Sequence, residues 1–367
     1  MPTTLEKSIE EVISSPHYMP CVSLLMPFEP KMGLKKELTY RYKLALQKIQ
    51  HELEKDYPKD KVDPIIIKFQ HVGDTLNFQT HKKSIAIFVS PLMEKVYYLD
   101  LPIEEKIIID ESFEIRDLIY SKKEVNKYLL AVMSSKWVKV YLGNTSHFVR
   151  ITLNVPETSL AYVNDGPEKI ANFSDEQKKK EILLDKFLRH TDNALSLLIQ
   201  SYKLPLFVMG TIRTIGHFKS ITHNSKHVIH YIPGNFEEYT EHELQQLMQP
   251  YLLDWKRVKQ MKLLQLIEEA GSKKRLAKGI LEVWRSASQK KGRLLIVEKN
   301  FVFPADKSAD PEIIFNRDES LKNAFYIKDA VDDVIEKVLS SGGDVEFAEQ
   351  GWLTSFGKIV LIEYYAG

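Results

Sequence analysis

The residues best suited to chemistry in this chain are basic, and they are concentrated between Trp255 and Arg293. This segment contains twelve Lys and Arg residues against three Glu residues. Such a surplus can neutralise phosphates, the main source of protein affinity for nucleic acid. The alternative is a solvated helix face whose charge is balanced by the acid-rich residues 301–367. The members that we predict to bind RNA are Lys256, Arg257, Lys273, Lys274, Arg275, Lys290 and Lys291.

Two further groups of basic residues are candidates for RNA binding. Lys178, Lys179 and Lys180 open a predicted helix, where they oppose the positive end of the helix dipole and a bound phosphate would offset that cost. Arg213 and Lys219 lie among hydroxyl and aromatic side chains, types that hold phosphates and stack on bases. The alternatives are ordinary solvent exposure for the lysines and a plain connecting loop for the second group.

The sequence does not predict a metal, a cofactor or a catalytic residue. Four histidines, His217, His223, His227 and His230, lie close together, but no cysteine accompanies them as in common zinc sites. The chain also lacks a dinucleotide-binding glycine motif, a P-loop, a His-Glu-x-x-His motif and a Gly-x-Ser-x-Gly motif.

Composition limits the class of protein. The chain has 367 residues, of which 44% are hydrophobic and 28% charged, enough for two or three globular cores. Its net charge of +1 argues against a uniformly basic coat, so any RNA-binding surface must be local. Cys21 is the one cysteine, which excludes an internal disulfide and favours a reducing compartment. With no apolar segment long enough to cross a membrane, we expect a cytoplasmic protein.

Hydrophobic periodicity predicts an α/β (mixed α+β) fold with three α/β domains, at residues 1–122, 123–232 and 233–367. We expect each domain to have its own core and to be joined by exposed linkers at about 122–128 and 220–238. The predicted helices are 34–55, 174–202, 238–270, 272–287 and 329–340, and the predicted strands are 21–26, 84–90, 96–101, 107–109, 128–133, 137–142, 147–153, 204–210, 292–297, 344–347 and 358–364.

The order of these elements resembles that of the archaeal and eukaryotic class I peptide release factors and Pelota. The similarity is best to the bacterial archaeo-eukaryotic release factor family. It implies an RNase H-like middle domain, a ribosomal protein L7Ae-like C-terminal domain, and a monomeric factor that enters the ribosomal A site. The implied partners are the ribosome, through rRNA and tRNA, and a translational GTPase. The segments that carry the resemblance are 19–27, 85–90, 113–119, 129–133, 139–144, 200–210, 278–283, 294–297, 342–343 and 357–364.

Two motifs of the resembled factors are missing. The loop 154–177, where release factors carry Gly-Gly-Gln, has no such tripeptide, and Gly342-Gly343 is followed by Asp344 in another predicted domain. Residues 55–85 lack the codon-reading Asn-Ile-Lys-Ser tetrapeptide. We therefore predict a role in ribosome rescue or hibernation without peptide release. The alternatives are a peptidyl-tRNA hydrolase or nuclease that uses the loop 154–177, and a protein-interaction module without an RNA partner.

Overall fold

The computed structural model describes residues 11–13, 19–124, 127–144, 148–162, 176–316 and 326–365. Contacts group the chain into two compact units, residues 1–124 with 260–367, and residues 125–259. The mixed α/β class is confirmed. The division of the chain into three domains stays a prediction. No described helix is long and apolar enough to cross a membrane.

Residues 19–124 form an antiparallel four-stranded sheet of order β3-β2-β1-β4. The inner strand β1 is apolar except at Ser23, a composition typical of a strand whose two faces are both covered. Val22, Leu24 and Met26 pack under two helices, whereas Cys21 and Leu25 face the opposite core. The elements are β1 (Cys21–Pro27), α1 (Lys35–Asp56), α2 (Lys59–Thr75), β2 (Ser84–Val89), β3 (Glu94–Leu99), β4 (Lys106–Asp110) and α3 (Arg116–Glu124).

Residues 127–259 contain a five-stranded mixed sheet of order β7-β6-β5-β8-β9. The predicted linker at 220–238 is wrong, because it contains β9, which pairs in parallel with β8. The pattern Val-Ile-His-Tyr-Ile allows a short strand from the sequence, and β9 forms there at the edge of the sheet. The elements are β5 (Tyr128–Met133), β6 (Val138–Gly143), β7 (Phe148–Ile151), α4 (Glu176–Tyr202), β8 (Leu206–Gly210), α5 (Ile212–Ile221), β9 (Val228–Pro233) and α6 (Glu241–Ser272), of which residues 260–272 belong to the other unit.

The C-terminal range contains a four-stranded sheet of order β10-β16-β11-β15 and a small sheet of order β13-β12-β14. The predicted helix 272–287 is wrong over its first third, where residues 276–278 form a strand. The elements after α6 are β10 (Leu276–Lys278), α7 (Gly279–Ser288), β11 (Gly292–Glu298), β12 (Ala305–Lys307), β13 (Ile314–Asn316), β14 (Tyr326–Ile327), α8 (Ala330–Ser340), β15 (Asp344–Ala348) and β16 (Ile359–Glu363).

The first and last ranges share one hydrophobic core, contrary to the expectation of separate cores. Phe88 and Leu118 from the first range belong to the same buried cluster as Val334 and Leu361 from the last. A cross-range contact fixes this arrangement, because Asp332 of α8 caps the start of α3. Its Oδ1 atom accepts hydrogen bonds from the backbone N–H groups of residues 115 and 116, at 3.2 and 2.9 Å.

Charged side chains surround this cap. The Arg116 guanidinium is almost fully buried and pairs with Asp329. The Lys123 ammonium lies 2.7 Å from a carboxylate oxygen of Asp344. Burial raises the pKa of the Glu114 carboxyl to about 7, and burial together with the neighbouring Glu114 raises the pKa of Asp332 well above its usual range. These carboxyls therefore favour the folded state most when they carry a proton.

We predict that this unit loses stability as pH rises. A pKa that is higher in the folded state stabilises it fully below the ordinary value of 4.5, and this contribution is lost as pH rises through about 7. The loss should be a few kcal/mol, since one pKa unit corresponds to about 1.4 kcal/mol. Thermal unfolding between about pH 5 and 8 measures it. Glu114→Gln, which mimics the protonated acid, should flatten the pH profile, whereas the exposed-site change Glu104→Gln should leave it unchanged. A parallel profile for wild type and Glu114→Gln would contradict this assignment.

Candidate nucleic-acid interface

The helix α6 ends in a tight turn that carries three of the predicted RNA-binding residues. The N–H of Arg275 donates to the carbonyl of Ala270 at 2.9 Å, and the N–H of Lys274 donates to that of Gly271 at 3.1 Å. These two bonds, spanning five and three residues, define the Schellman motif that ends many helices. Lys273 precedes them and is exposed, as is Lys274.

The helix α7 ends in the same way. The N–H of Lys291 donates to the carbonyl of Ser286 at 3.0 Å, and the N–H of Lys290 donates to that of Ala287 at 2.9 Å. Both lysines are exposed. The two helices therefore end in matching turns, and each turn has basic residues at the last two positions of its motif.

Lysine occupies the left-handed position of each turn. The φ angle is +54° at Lys274 and +56° at Lys290. Glycine is usual here, because a side chain in the left-handed region costs about 1–2 kcal/mol. Positive charge at a helix end recovers part of this cost through the helix dipole. Lys203 and Lys358 also have positive φ angles, so this conformation is not confined to the two turns, and the case for binding rests on the exposure of the turn lysines.

The last strand of the sheet brings the two turns together. The strands β10 and β11 begin directly after the turns, and both run antiparallel to β16. The N–H of Glu363 donates to the carbonyl of Arg275 at 3.0 Å, and the N–H of Tyr364 donates to that of Lys291 at 3.1 Å. Both turns thus flank the carboxyl end of β16.

We name this surface the basic edge. A β-bulge in β11 at Arg293 adds one more exposed cation, and bulges commonly redirect a side chain in this way. Glu363, the acid at the end of β16, is buried within the sheet. None of the cations of the edge except Arg275 has a side-chain partner among the described residues, and Arg275 donates weakly to the Tyr364 carbonyl at 3.4 Å. The basic edge consists of Lys273, Lys274, Arg275, Lys290, Lys291 and Arg293.

The other predicted RNA-binding residues lie in the unit 125–259. Lys256 is half-buried and Arg257 is exposed on α6. Arg213 at the start of α5 pairs with Glu181 at 3.2 Å, next to the exposed Lys180 of α4. Lys219 lies over the ring of Tyr231, with its Nζ 4.4 Å from the ring centre. The side chains of Lys178 and Lys179 are outside the described residues.

One of the four clustered histidines, His223, contacts a buried acid. Asp192 is almost fully buried in α4 and accepts hydrogen bonds from the His223 backbone N–H at 2.9 Å and from the Asn224 side chain at 2.8 Å. The His223 Nδ1 atom lies 3.3 Å from the same carboxylate, while its ring is exposed. These contacts anchor the turn that follows α5. Within the described parts of the chain, no group of three His, Cys, Asp or Glu residues is arranged to hold a metal.

The sequence alone indicates no role for Arg293, Tyr364 or Tyr365 at the basic edge. Arg293 is part of the counted surplus, but the bulge that exposes it depends on pairing between distant segments. Tyr364 ends the last predicted strand, at 358–364, and Tyr365 directly follows it, so both tyrosines are typical of a strand. The solvent exposure of their side chains, 39% for Tyr364 and 82% for Tyr365, makes them candidate binding residues, and the sequence does not reveal it.

A family model matches the middle of the chain. Residues 127–291 match the model described as Bacterial archaeo-eukaryotic release factor family 3. The predicted resemblance to this family is therefore confirmed over these residues. The matched segment includes most of the basic edge, from Lys273 to Lys291. A search of curated proteins finds no match.

Solved structures of similar proteins cover most of the chain at low identity. The archaeal translation termination factor aRF1 is 13% identical, with 98% of this chain and 97% of that chain covered and a TM-score of 0.25. Archaeal Pelota, in a model of ribosome-bound Pelota and ABCE1, is 11% identical, with 96% and 92% covered and a TM-score of 0.46. Dom34 of S. cerevisiae, described as a termination-like factor interacting with Hbs1, is 13% identical, with 80% and 83% covered and a TM-score of 0.41.

We predict that replacing Lys274 and Lys290 with glycine raises the stability of the fold and lowers its affinity for RNA. Lys274→Gly with Lys290→Gly removes the left-handed strain, and the free energy of unfolding should rise by about 0.5–1 kcal/mol per site once the added chain entropy of glycine is subtracted. Thermal unfolding measures this change. The same variant loses two cations and should bind RNA more weakly. Destabilisation of this variant would show that the lysines serve the fold, contrary to our interpretation.

Proposed function

We propose that the protein is a ribosome-binding, release-factor-like translation factor whose basic edge contacts rRNA phosphates near the A site. The observation that carries this proposal is the pair of matching turns in a chain of almost neutral net charge. The turns concentrate cations at one end of a sheet, and most of these cations are exposed and have no ion pair among the described residues. A local basic surface of this kind supports binding to a polyanion without the non-specific binding that is typical of a uniformly basic protein.

The family match supports a role in translation. Within that role we propose ribosome rescue or hibernation, because the chain has no Gly-Gly-Gln tripeptide in residues 154–177 to place a water against the peptidyl-tRNA ester. Archaeal Pelota is described as ribosome-bound and yeast Dom34 as interacting with Hbs1, and for this chain we propose the ribosome, through rRNA and tRNA, and a translational GTPase as partners. We further propose that the protein acts in the cytoplasm as a monomer.

We predict that ribosome binding depends on the basic edge and on salt. Reversal of Lys273, Lys274 and Arg275 to Glu should abolish co-sedimentation with ribosomes at physiological salt, because each phosphate contact contributes roughly one unit to the slope of log affinity against log salt. The matched control reverses Lys36, Lys43 and Lys59, exposed lysines of α1 and α2, and changes the net charge equally. Equal loss of co-sedimentation in both variants would show that net charge alone causes the effect. No loss in either variant would favour the protein-interaction alternative.

We predict that the purified protein does not hydrolyse peptidyl-tRNA on ribosomes. Gln177 is the nearest candidate for a catalytic amide at the end of the loop, and its backbone lies within α4 instead of at a flexible tip. Release of labelled peptide from stalled ribosomes is the measurement, with Gln177→Ala as the comparison. Peptide release that Gln177→Ala eliminates would establish the hydrolase alternative and overturn this part of the proposal.

A further inference from the structure

Two tyrosines follow β16 at the centre of the basic edge. The backbone of Tyr364 is held by both turns, since its N–H donates to the carbonyl of Lys291 at 3.1 Å and its carbonyl accepts from Arg275 at 3.4 Å. The phenol of Tyr364 donates to the carbonyl of Gly342 at 3.2 Å. Tyr364 is therefore fixed in position, and the chain leaves the sheet between the two turns.

Tyr365 is the residue that this arrangement presents to solvent. Its side chain is 82% exposed. Its ring centre lies 6.4 Å from that of Tyr364 with the planes tilted by 41°, so the two rings are not stacked on each other. A largely exposed aromatic ring that directly follows a residue held by both basic turns combines the two elements that proteins use to bind unpaired nucleotides.

The kind of RNA follows from this combination. In a duplex the bases are stacked inside the helix, and only phosphates and sugars could reach the basic edge. An unpaired base in a loop or bulge can stack on an aromatic ring while the phosphates on its two sides meet separate cations. The turns after α6 and α7 provide cations on two sides of residue 364.

We propose that the basic edge binds an unpaired nucleotide of structured RNA, whose base stacks on Tyr365 and whose flanking phosphates contact the turns of Lys273–Arg275 and Lys290–Lys291. This inference rests on the proposed function, because it names the RNA feature that the same surface recognises. In this proposal Tyr365 provides specificity for exposed bases, whereas the lysines provide charge alone.

Binding of the full chain to two labelled RNAs tests the proposal. One RNA is a hairpin with an unpaired adenine loop, and the other is a blunt duplex with the same number of phosphates. The variants are Tyr365→Leu, which removes the aromatic ring, and Tyr365→Phe, which keeps it. Because Tyr365 is exposed, neither change should disturb folding.

The hairpin should bind more tightly than the duplex. Tyr365→Leu should weaken hairpin binding by about 5- to 100-fold, the range of one base–aromatic stack, and leave duplex binding unchanged, whereas Tyr365→Phe should behave as wild type. Equal affinity of Tyr365→Leu and wild type for the hairpin would overturn the stacking inference alone. If reversal of Lys273, Lys274 and Arg275 leaves binding of both RNAs intact, or if polyglutamate of equal charge competes as well as RNA does, the proposed RNA-binding function itself fails.

Discussion

The pairing of β16 with both β10 and β11 is the constraint on which the candidate site depends. Residues 359–363 are buried and β16 pairs with a strand on each side, with Leu276 opposite Ile362 and Gly292 opposite Glu363. Both neighbours run antiparallel to β16, so both begin where it ends. Since each neighbour follows a helix end directly, the two turns must meet at this edge. A change of register in either pair would separate them.

The chemistry of the edge opposes the stability of the fold. Glycine would satisfy the left-handed positions of both turns with less strain than Lys274 and Lys290 do. Like charges that lie close together add a further cost, which salt reduces and a phosphate partner reverses. A surface that is destabilising in isolation and that is relieved by a polyanion is typical of a binding site.

The sequence predicted the mixed α/β class and the cations of the edge, because helix periodicity and local charge are encoded in neighbouring residues. The position of these cations at one edge of the sheet could not be predicted, because it depends on β10, whose three residues were predicted to be helical. The shared core of residues 1–124 and 260–367 escaped prediction for a similar reason. It depends on the cap that Asp332 provides to the N–H of Arg116, across 216 residues of chain.

Lysine acetylation footprinting of the ribosome-bound protein, measured by mass spectrometry, tests the central claim most directly. The reagent reports whether each amino group is accessible, and it requires no substitution. If the two turns contact rRNA together, the reactivity of Lys273, Lys274, Lys290 and Lys291 should fall in parallel on ribosome binding and recover after ribonuclease treatment. Unchanged reactivity of these four lysines, with protection of lysines elsewhere in the bound protein, would contradict the claim.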